Sequence, residues 1–236
     1  MLQLLIYHPV LLAAAVLPAV FLLIRVYRAD RLEREPPRLL LGLLLWGILA
    51  TIPAILGERI GSYLLTQVCR GNARLYRILL CFIVVGGSEE GAKYLLLKWR
   101  TWRSPHFNCR FDGVVYAVFV SLGFALWENI GYVAMYGFRT AVLRAVTAVP
   151  GHACFGVFMG TWYGLAKALE NEGDAEAARL SRRFAFLLPA LLHGCYDAIA
   201  MAQGIRWSWV FEIFVILLFA ISFRMVKRLS RQDRFI

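Results

Sequence analysis

Apolar residues fall in long uninterrupted runs along this chain, with polar residues gathered into short stretches between them. Runs of spanning length, about 20 residues each, lie near 7–24, 39–56, 78–97, 114–136, 141–168, 184–203 and 207–226. This pattern predicts an all-α, polytopic transmembrane helical bundle of about seven helices, with 1–236 as a single integral-membrane domain. Pro36 and Pro37 close the charged segment from Asp30 to Arg38 and halt the first helix before the second begins. The last two helices are joined tightly through Gly204 and Arg206. Trp99, Trp102, Trp207 and Trp209 lie near helix ends, as interfacial anchors do. The first run resembles a signal peptide in its Ala13-Ala14-Ala15. No Lys or Arg precedes it and the positive charges follow it, so it reads as a retained, reverse-oriented anchor.

Composition agrees with this reading. The 236 residues are 60% hydrophobic and only 17% charged, against roughly 25% charged in a soluble domain. The net charge of +11 would suggest nucleic acid in a soluble protein. Here the basic residues flank apolar runs, no nucleic-acid-binding motif is present, and anionic lipid headgroups are the better partner. Their distribution also sets an orientation. Eighteen Lys and Arg lie in the connections at 25–38, 98–110 and 167–183 and in the tail from 224, against seven in the connections at 57–77, 137–144 and 204–206. The positive-inside rule then places the N-terminus outside and the C-terminus in the cytoplasm. The basic flanks at 98–103 and 224–234 read first as topology determinants, and could also hold anionic lipid. The five cysteines form no Cys-x-x-Cys, and Cys81, Cys154 and Cys195 read as buried small hydrophobes.

Against this background the ionisable residues inside the runs stand out. Each costs about 2.5–3.5 kcal/mol at the centre of a bilayer, so such residues mark a pathway or a site. Glu89, Glu90 and Lys93 lie in the third run, after Ser88; Glu128 and Asn129 in the fourth; His152 in the fifth; His193 and Asp197 in the sixth. Glu89 and Lys93 are four apart and Glu90 and Lys93 three apart, so one carboxylate can pair with the lysine while the other stays free for water or a metal. Glu128 has no basic residue within one turn on its own helix and needs a proton, a metal or a partner from another helix. His193 and Asp197, one turn apart, suit two ligands to one ion or an imidazole oriented by an acid. The acids and imidazoles lie roughly 8–14 residues into their runs, which at about 1.5 Å per residue brings them to a common depth near the midplane. The set reads as one site in a polar cavity between helices three to six. Other catalytic frameworks are missing: there is no His-Glu-x-x-His, no glycine-bounded serine loop at Ser88, and no Gly-x-Gly-Asp to partner Tyr196-Asp197.

Taken together these segments resemble the PrsW family of intramembrane proteases, relatives of the CAAX-processing and bacteriocin-immunity membrane peptidases. The resemblance covers most of the chain. It rests on Asp30-Arg31 with Glu33 and Glu35-Pro36, Glu89-Glu90-x-x-Lys93, Phe111-Asp112-Gly113, Phe124-x-x-x-Glu128-Asn129, Gly151-His152 and His193-x-x-x-Asp197, in that order on separate helices. The wider superfamily has a histidine at the place of Glu128 and an asparagine at that of Asp197. The resemblance implies a multi-pass enzyme of a bacterial-type plasma membrane that cuts membrane proteins or peptides, in some members an anti-sigma factor, with the paired glutamates and the histidines as its active centre.

The expected reaction is therefore peptide-bond hydrolysis in or at the edge of the bilayer. Glu90 is the expected general base, with Glu89 held by Lys93 or in the exchanged role, and His152 and His193 complete the catalytic set. His152 and His193 with Glu128 or Asp197 would hold zinc, the expected cofactor, and Lys93 and Asn129 support the site. In a metal-free alternative His152 and His193 stabilise the oxyanion, with Asp197 orienting His193. Two rivals come from other classes: a proton- or ion-coupled transporter, disfavoured because no paired hydropathy repeat is visible, and an inactive scaffold that binds partner helices. The topology is open to a direct check. A reporter fused at the C-terminus is expected to report the cytoplasmic side, and an external signal would reverse the assignment.

Overall fold

The computed structural model describes residues 9–236, so the first two residues of the run at 7–24 lie outside the described residues. Seven helical rods follow one another. They are α1 (Pro9–Ala29), α2 (Pro37–Cys69), a rod made of α3 (Ala73–Leu79), a π-helical turn (Leu80–Val85) and α4 (Gly86–Thr101), then α5 (Asp112–Tyr136), α6 (Phe138–Val146) with α7 (Ala148–Asn171), α8 (Ala175–Ala200) and α9 (Ile205–Arg231). Among the described residues, five helical segments are long and apolar enough to cross a membrane, α6 and α7 counting as one. The exposed faces of α1, α2 and α9 carry large aliphatic and aromatic side chains such as Phe21, Ile52 and Ile216, as a lipid-facing wall requires. The chain is an all-α, multi-pass membrane bundle.

The antiparallel pair α5 and α7 forms the centre, and small residues let its backbones meet. A methyl group at Gly113 would overlap the backbones of Gly160 and Gly164, and one at Gly160 would overlap Gly113 and Val114. α2 reaches the other side of α5 in the same way, through Gly47 and Gly123. Phe111, Tyr116, Leu122, Met159 and Tyr163 fill the layer between.

Two expectations from the sequence need correction. The fifth run, 141–168, is not one straight span. Gly137 at φ +77° ends α5, and the backbone breaks again at Thr147, which separates the short amphipathic α6 from α7. Counting apolar residues cannot see this break, because α6 presents apolar residues on one side and merges with the run that follows. Trp102 is not a lipid-facing anchor like Trp99, Trp207 and Trp209. Its ring packs on Tyr163 and Phe107, and its indole N–H donates to Glu170 Oε1 at 3.0 Å.

The end of the bundle that carries Ala29, Asp112 and Arg231 is closed by polar contacts. The C-terminal tail crosses the 107–111 loop, with Ile236 N donating to Asn108 O (2.8 Å), Arg110 N to Arg234 O (3.2 Å) and Phe111 N to Asp233 Oδ1 (2.8 Å). Asp112 Oδ2 caps this loop by accepting from Cys109 N at 2.7 Å and Asn108 N at 3.1 Å. Beneath it Asp30 and Glu35, from the α1–α2 connection, are buried, and neither Asp30 oxygen has a hydrogen-bond partner. Burial, reinforced by the charges of Glu35 and Asp233, pushes the Asp30 carboxyl up to about 7; burial, with the charge of Glu33 adding to it, raises Glu35 to about 7 as well. A raised acid favours the folded state while it keeps a proton that the unfolded chain has lost. That contribution is present below the unfolded value near 4 and disappears as pH rises to about 7. Asp30→Asn is therefore expected to leave the unfolding temperature in detergent nearly unchanged at about pH 4 and to raise it by several degrees at about pH 8. A pH-independent shift would show that Asp30 is not buried as a neutral acid.

Candidate active site

Four rods deliver the site, and a single ammonium lies at its focus. Lys93 of α4 is fully buried, and its Nζ donates to Glu90 Oε1 (2.7 Å), Glu89 Oε2 (3.1 Å) and His152 Nδ1 (3.1 Å). All three ammonium protons are thus placed, and Nζ also lies 4.0 Å from the centre of the Phe124 ring. The expectation that only one glutamate would meet the lysine is corrected: the i+3 and i+4 positions both bend inward, and the long lysine stem reaches between them. Glu90 nevertheless keeps one atom free. Its Oε1 is taken by Lys93 and His193, while Oε2 is buried without a partner.

The contacts fix the tautomers. Lysine can only donate, so His152 Nδ1 accepts, and its Nε2–H points to Glu128 Oε2 at 3.1 Å. His193 Nδ1–H donates to Glu90 Oε1 at 2.9 Å, and its other nitrogen lies 3.6 Å from Asp197 Oδ2, beyond hydrogen-bond distance. Phe155 stacks on the His193 ring at 4.8 Å and meets His152 edge-on at 5.9 Å, which holds both imidazoles in place.

Local sequence explains how the rods come so close. Before the acids the backbone adopts a π turn, with Gly86 N–H donating to Cys81 O five residues back. Gly86 then lies against α8: a methyl group there would approach Ala190 O to 2.6 Å and Gly194 N to 3.3 Å, and one at Gly194 would strike Phe82. His193, next to Gly194, is thereby pressed onto Glu90.

Glu128 and Asp197 stand behind the imidazoles rather than at the focus. The partner that Glu128 needs comes from α6: Arg144 donates to Glu128 Oε2 at 2.9 Å and to Asn129 Oδ1 at 3.0 Å. Asn129 Nδ2 donates in turn to Ala15 O at 2.7 Å and ties the group to α1. The Glu128 and Asp197 side chains remain about a quarter exposed (25% and 24%) and form the rim of an otherwise closed site. Among the described residues, Glu89, Glu90, His152 and His193 are the group whose ligand atoms all lie within 4.8 Å of one another. The paired glutamates lie at the focus with the histidines, while Glu128 and Asp197, expected from sequence to join the histidines, lie on the outer side of His152 and His193 respectively. The wet cavity expected between these helices is, in this conformation, a packed and charge-paired cluster.

Two residues escaped sequence reasoning. Arg144 lay in what read as a connection. Glu58 lies within electrostatic reach of Glu89, Glu128, His193 and Lys93. It sits just past the apolar run at 39–56, yet α2 continues to Cys69. The buried positions Gly47, Ala50, Thr51 and Ala54 predict its side: Glu58 is the next residue on that face. Neighbouring Gly57 packs on Ser88, one residue before Glu89.

Comparison with known proteins converges on one family. The profile described as "PrsW family intramembrane metalloprotease" matches residues 35–226. Protease PrsW of Geobacillus kaustophilus is 33% identical over 223 residues, covering 92% of this chain and 91% of the relative. Protease PrsW of Bacillus subtilis is 30% identical over 218 residues, covering 92% and 94%. That of Clostridioides difficile is 31% identical over 225 residues, covering 93% and 91%. No solved structure matches the chain.

The ion pair between Arg144 and Glu128 gives a test of the site's wiring. Removing one member of a buried pair leaves an uncompensated charge, whereas removing both need not. Arg144→Gln alone is expected to lower the unfolding temperature by several degrees, and Arg144→Gln with Glu128→Gln by less. Additive losses in the double variant would show that the two side chains do not interact.

Proposed function

The chain belongs to the PrsW family of intramembrane proteases, and on that premise we propose that it is an endopeptidase whose paired glutamates activate water against membrane-associated substrates. The observation that carries this reading is the free Oε2 of Glu90, buried beside two imidazoles of fixed tautomer and an ammonium. In the proposed reaction that oxygen takes a proton from water as the water oxygen bonds to the scissile carbonyl carbon, and delivers it to the amide nitrogen as the C–N bond breaks and the amine leaves. Lys93 and His193, both bonded to the other oxygen, hold the carboxylate in place and keep it ionised until then. The N–H groups of Lys93 and the imidazoles, held by Glu89, Glu90, Glu128 and His152 in this conformation, would turn to a developing oxyanion as Glu90 takes up its proton. Water and substrate enter from the rim at Glu128 and Asp197, the part of the cluster that retains exposure. Substrates are membrane proteins, with anti-sigma factors one class that the family resemblance suggests.

Glu89, Glu90, His152 and His193 also fit a zinc ion: two carboxylates and two imidazoles are donors that zinc accepts in a four-coordinate site. When bound, zinc supplies Lewis acidity and lowers the pKa of its water to about 7. Three of these donors, Glu89, Glu90 and His152, now share the Lys93 ammonium, so metal and lysine answer the same need for positive charge. For the metal to be held by all four residues, the Lys93 side chain must withdraw from their focus. The position of Lys93 favours a second reading, in which the glutamates act without metal and the ammonium takes the electrostatic role.

Reconstituted with single-span membrane proteins, the wild-type chain is expected to yield discrete fragments. Glu90→Gln is expected to reduce cleavage by about 10²–10⁴-fold, and His193→Ala comparably, with folding retained. Wild-type rates in both variants would defeat the protease reading. Elemental analysis of the same preparations separates the two mechanisms. One zinc per chain, lost with activity on chelation and recovered on readdition, supports the metal form; full activity without zinc supports the metal-free form.

A further inference from the structure

A large cavity lies away from the active site. It is a groove of about 630 Å³ between α1, α7 and α9, lined by none of Glu89, Glu90, Lys93 and His193. Its walls are apolar along most of their length, with Leu22 and Val26 of α1, Val157 of α7 and Phe219 and Val226 of α9. Its mouth is basic. Arg25, Arg28, Arg31 and Lys227 all line it, and among the described residues none of these four forms an ion pair, whereas Lys93, Arg144, Arg182 and Arg234 do. Between wall and mouth lies Ser222, whose buried hydroxyl has no hydrogen-bond partner.

We propose that this groove is a binding site for one anionic phospholipid. The phosphate sits among Arg25, Arg28, Arg31 and Lys227, an acyl chain lies along the apolar wall, and the Ser222 hydroxyl donates to an ester carbonyl. Dimensions favour a lipid. From Phe21 to Ala29 the α1 wall rises about 12 Å, with Arg31 just beyond its end, so against a hydrocarbon core of about 30 Å the groove runs from headgroup level most of the way to the midplane. A substrate helix about 10–12 Å across and about 12 Å long would fill about 1,000 Å³, more than the groove offers, whereas a lipid need place only one acyl chain there and can leave the other in the bilayer. Charge points the same way, since four unpaired cations at the mouth complement a phosphodiester and gain nothing from a zwitterionic headgroup's ammonium. The groove's deep end meets Pro150 and Ala153 of α7, on either side of Gly151 and His152. A lipid held there would brace the segment that presents His152 to Lys93.

The test uses the full chain, delipidated in a neutral detergent and examined by native mass spectrometry with dioleoylphosphatidylglycerol, dioleoylphosphatidylcholine or inorganic phosphate. One phosphatidylglycerol per chain is expected to be retained, at least tenfold more tightly than phosphatidylcholine. Arg28→Gln with Lys227→Gln should weaken it at least tenfold. Val226→Trp, which fills the groove without changing charge, should do the same while helicity and unfolding temperature hold. Arg139→Gln, remote from the groove, should have no effect. Equal retention of phosphatidylcholine, or an equal loss from Arg139→Gln, would overturn the proposal. So would tight binding of inorganic phosphate that ignores Val226→Trp, which would make the site a phosphate pocket without an acyl channel. A neutral single-span peptide that displaces phosphatidylglycerol and binds the charge variants equally well would make the groove a helix dock. None of these readouts depends on proteolysis, so they stand or fall apart from the catalytic assignment.

Discussion

The centre of this protein is organised by one buried ammonium. An isolated lysine in the middle of a bundle would be very costly. Lys93 is tolerable because two glutamates, an imidazole and an aromatic face surround it. The dependence is mutual, since neither glutamate could be ionised so deep without it. Each further link passes through this knot. His193 is fixed by Glu90, His152 by Lys93 and Glu128, Glu128 by Arg144, and Asn129 carries the connection to the backbone of α1. The polar residues that burden membrane insertion are the ones that register the rods against one another.

Close packing of small residues makes that network possible. Side chains as short as glutamate reach across helices only when the backbones nearly touch. The glycines at 86 and 194, at 113, 160 and 164, and at 47 and 123 occupy the contacts where a methyl group would force helices apart. The bundle combines van der Waals contact along its glycine seams with electrostatic pairing at mid-depth. Both are available in lipid, where hydrophobic burial between helices offers little.

Much of this was legible in the sequence. Seven long apolar runs match seven rods, and the similar depths of Glu89, Glu90, His152 and His193 within their runs point to one shared place. The reading failed where information lay in backbone breaks and in three-dimensional approach. Thr147 divides a run that hydropathy reports as continuous, and the short α6 before it carries Arg144, whose role cannot be inferred while its residues are assigned to a connection. Glu58 was missed because the apolar run stops before it, although the face repeat does not. Glu128 and Asp197 were placed at the focus because helix spacing fixes a side but not a radius. The coordinates set them behind the imidazoles.

The π turn at Leu80–Val85 has a meaning beyond the site it precedes. It accommodates an extra residue in the turn, so the two parts of the rod are out of phase by about one residue's rotation, roughly 100°. The half that begins at Ala73, with Arg74 and Arg77, is set independently of the half that aims the glutamates at α8. Loss of one residue within the turn would act like taking up a slack link: the turn would close as ordinary α-helix, and both halves would keep their faces and their neighbours.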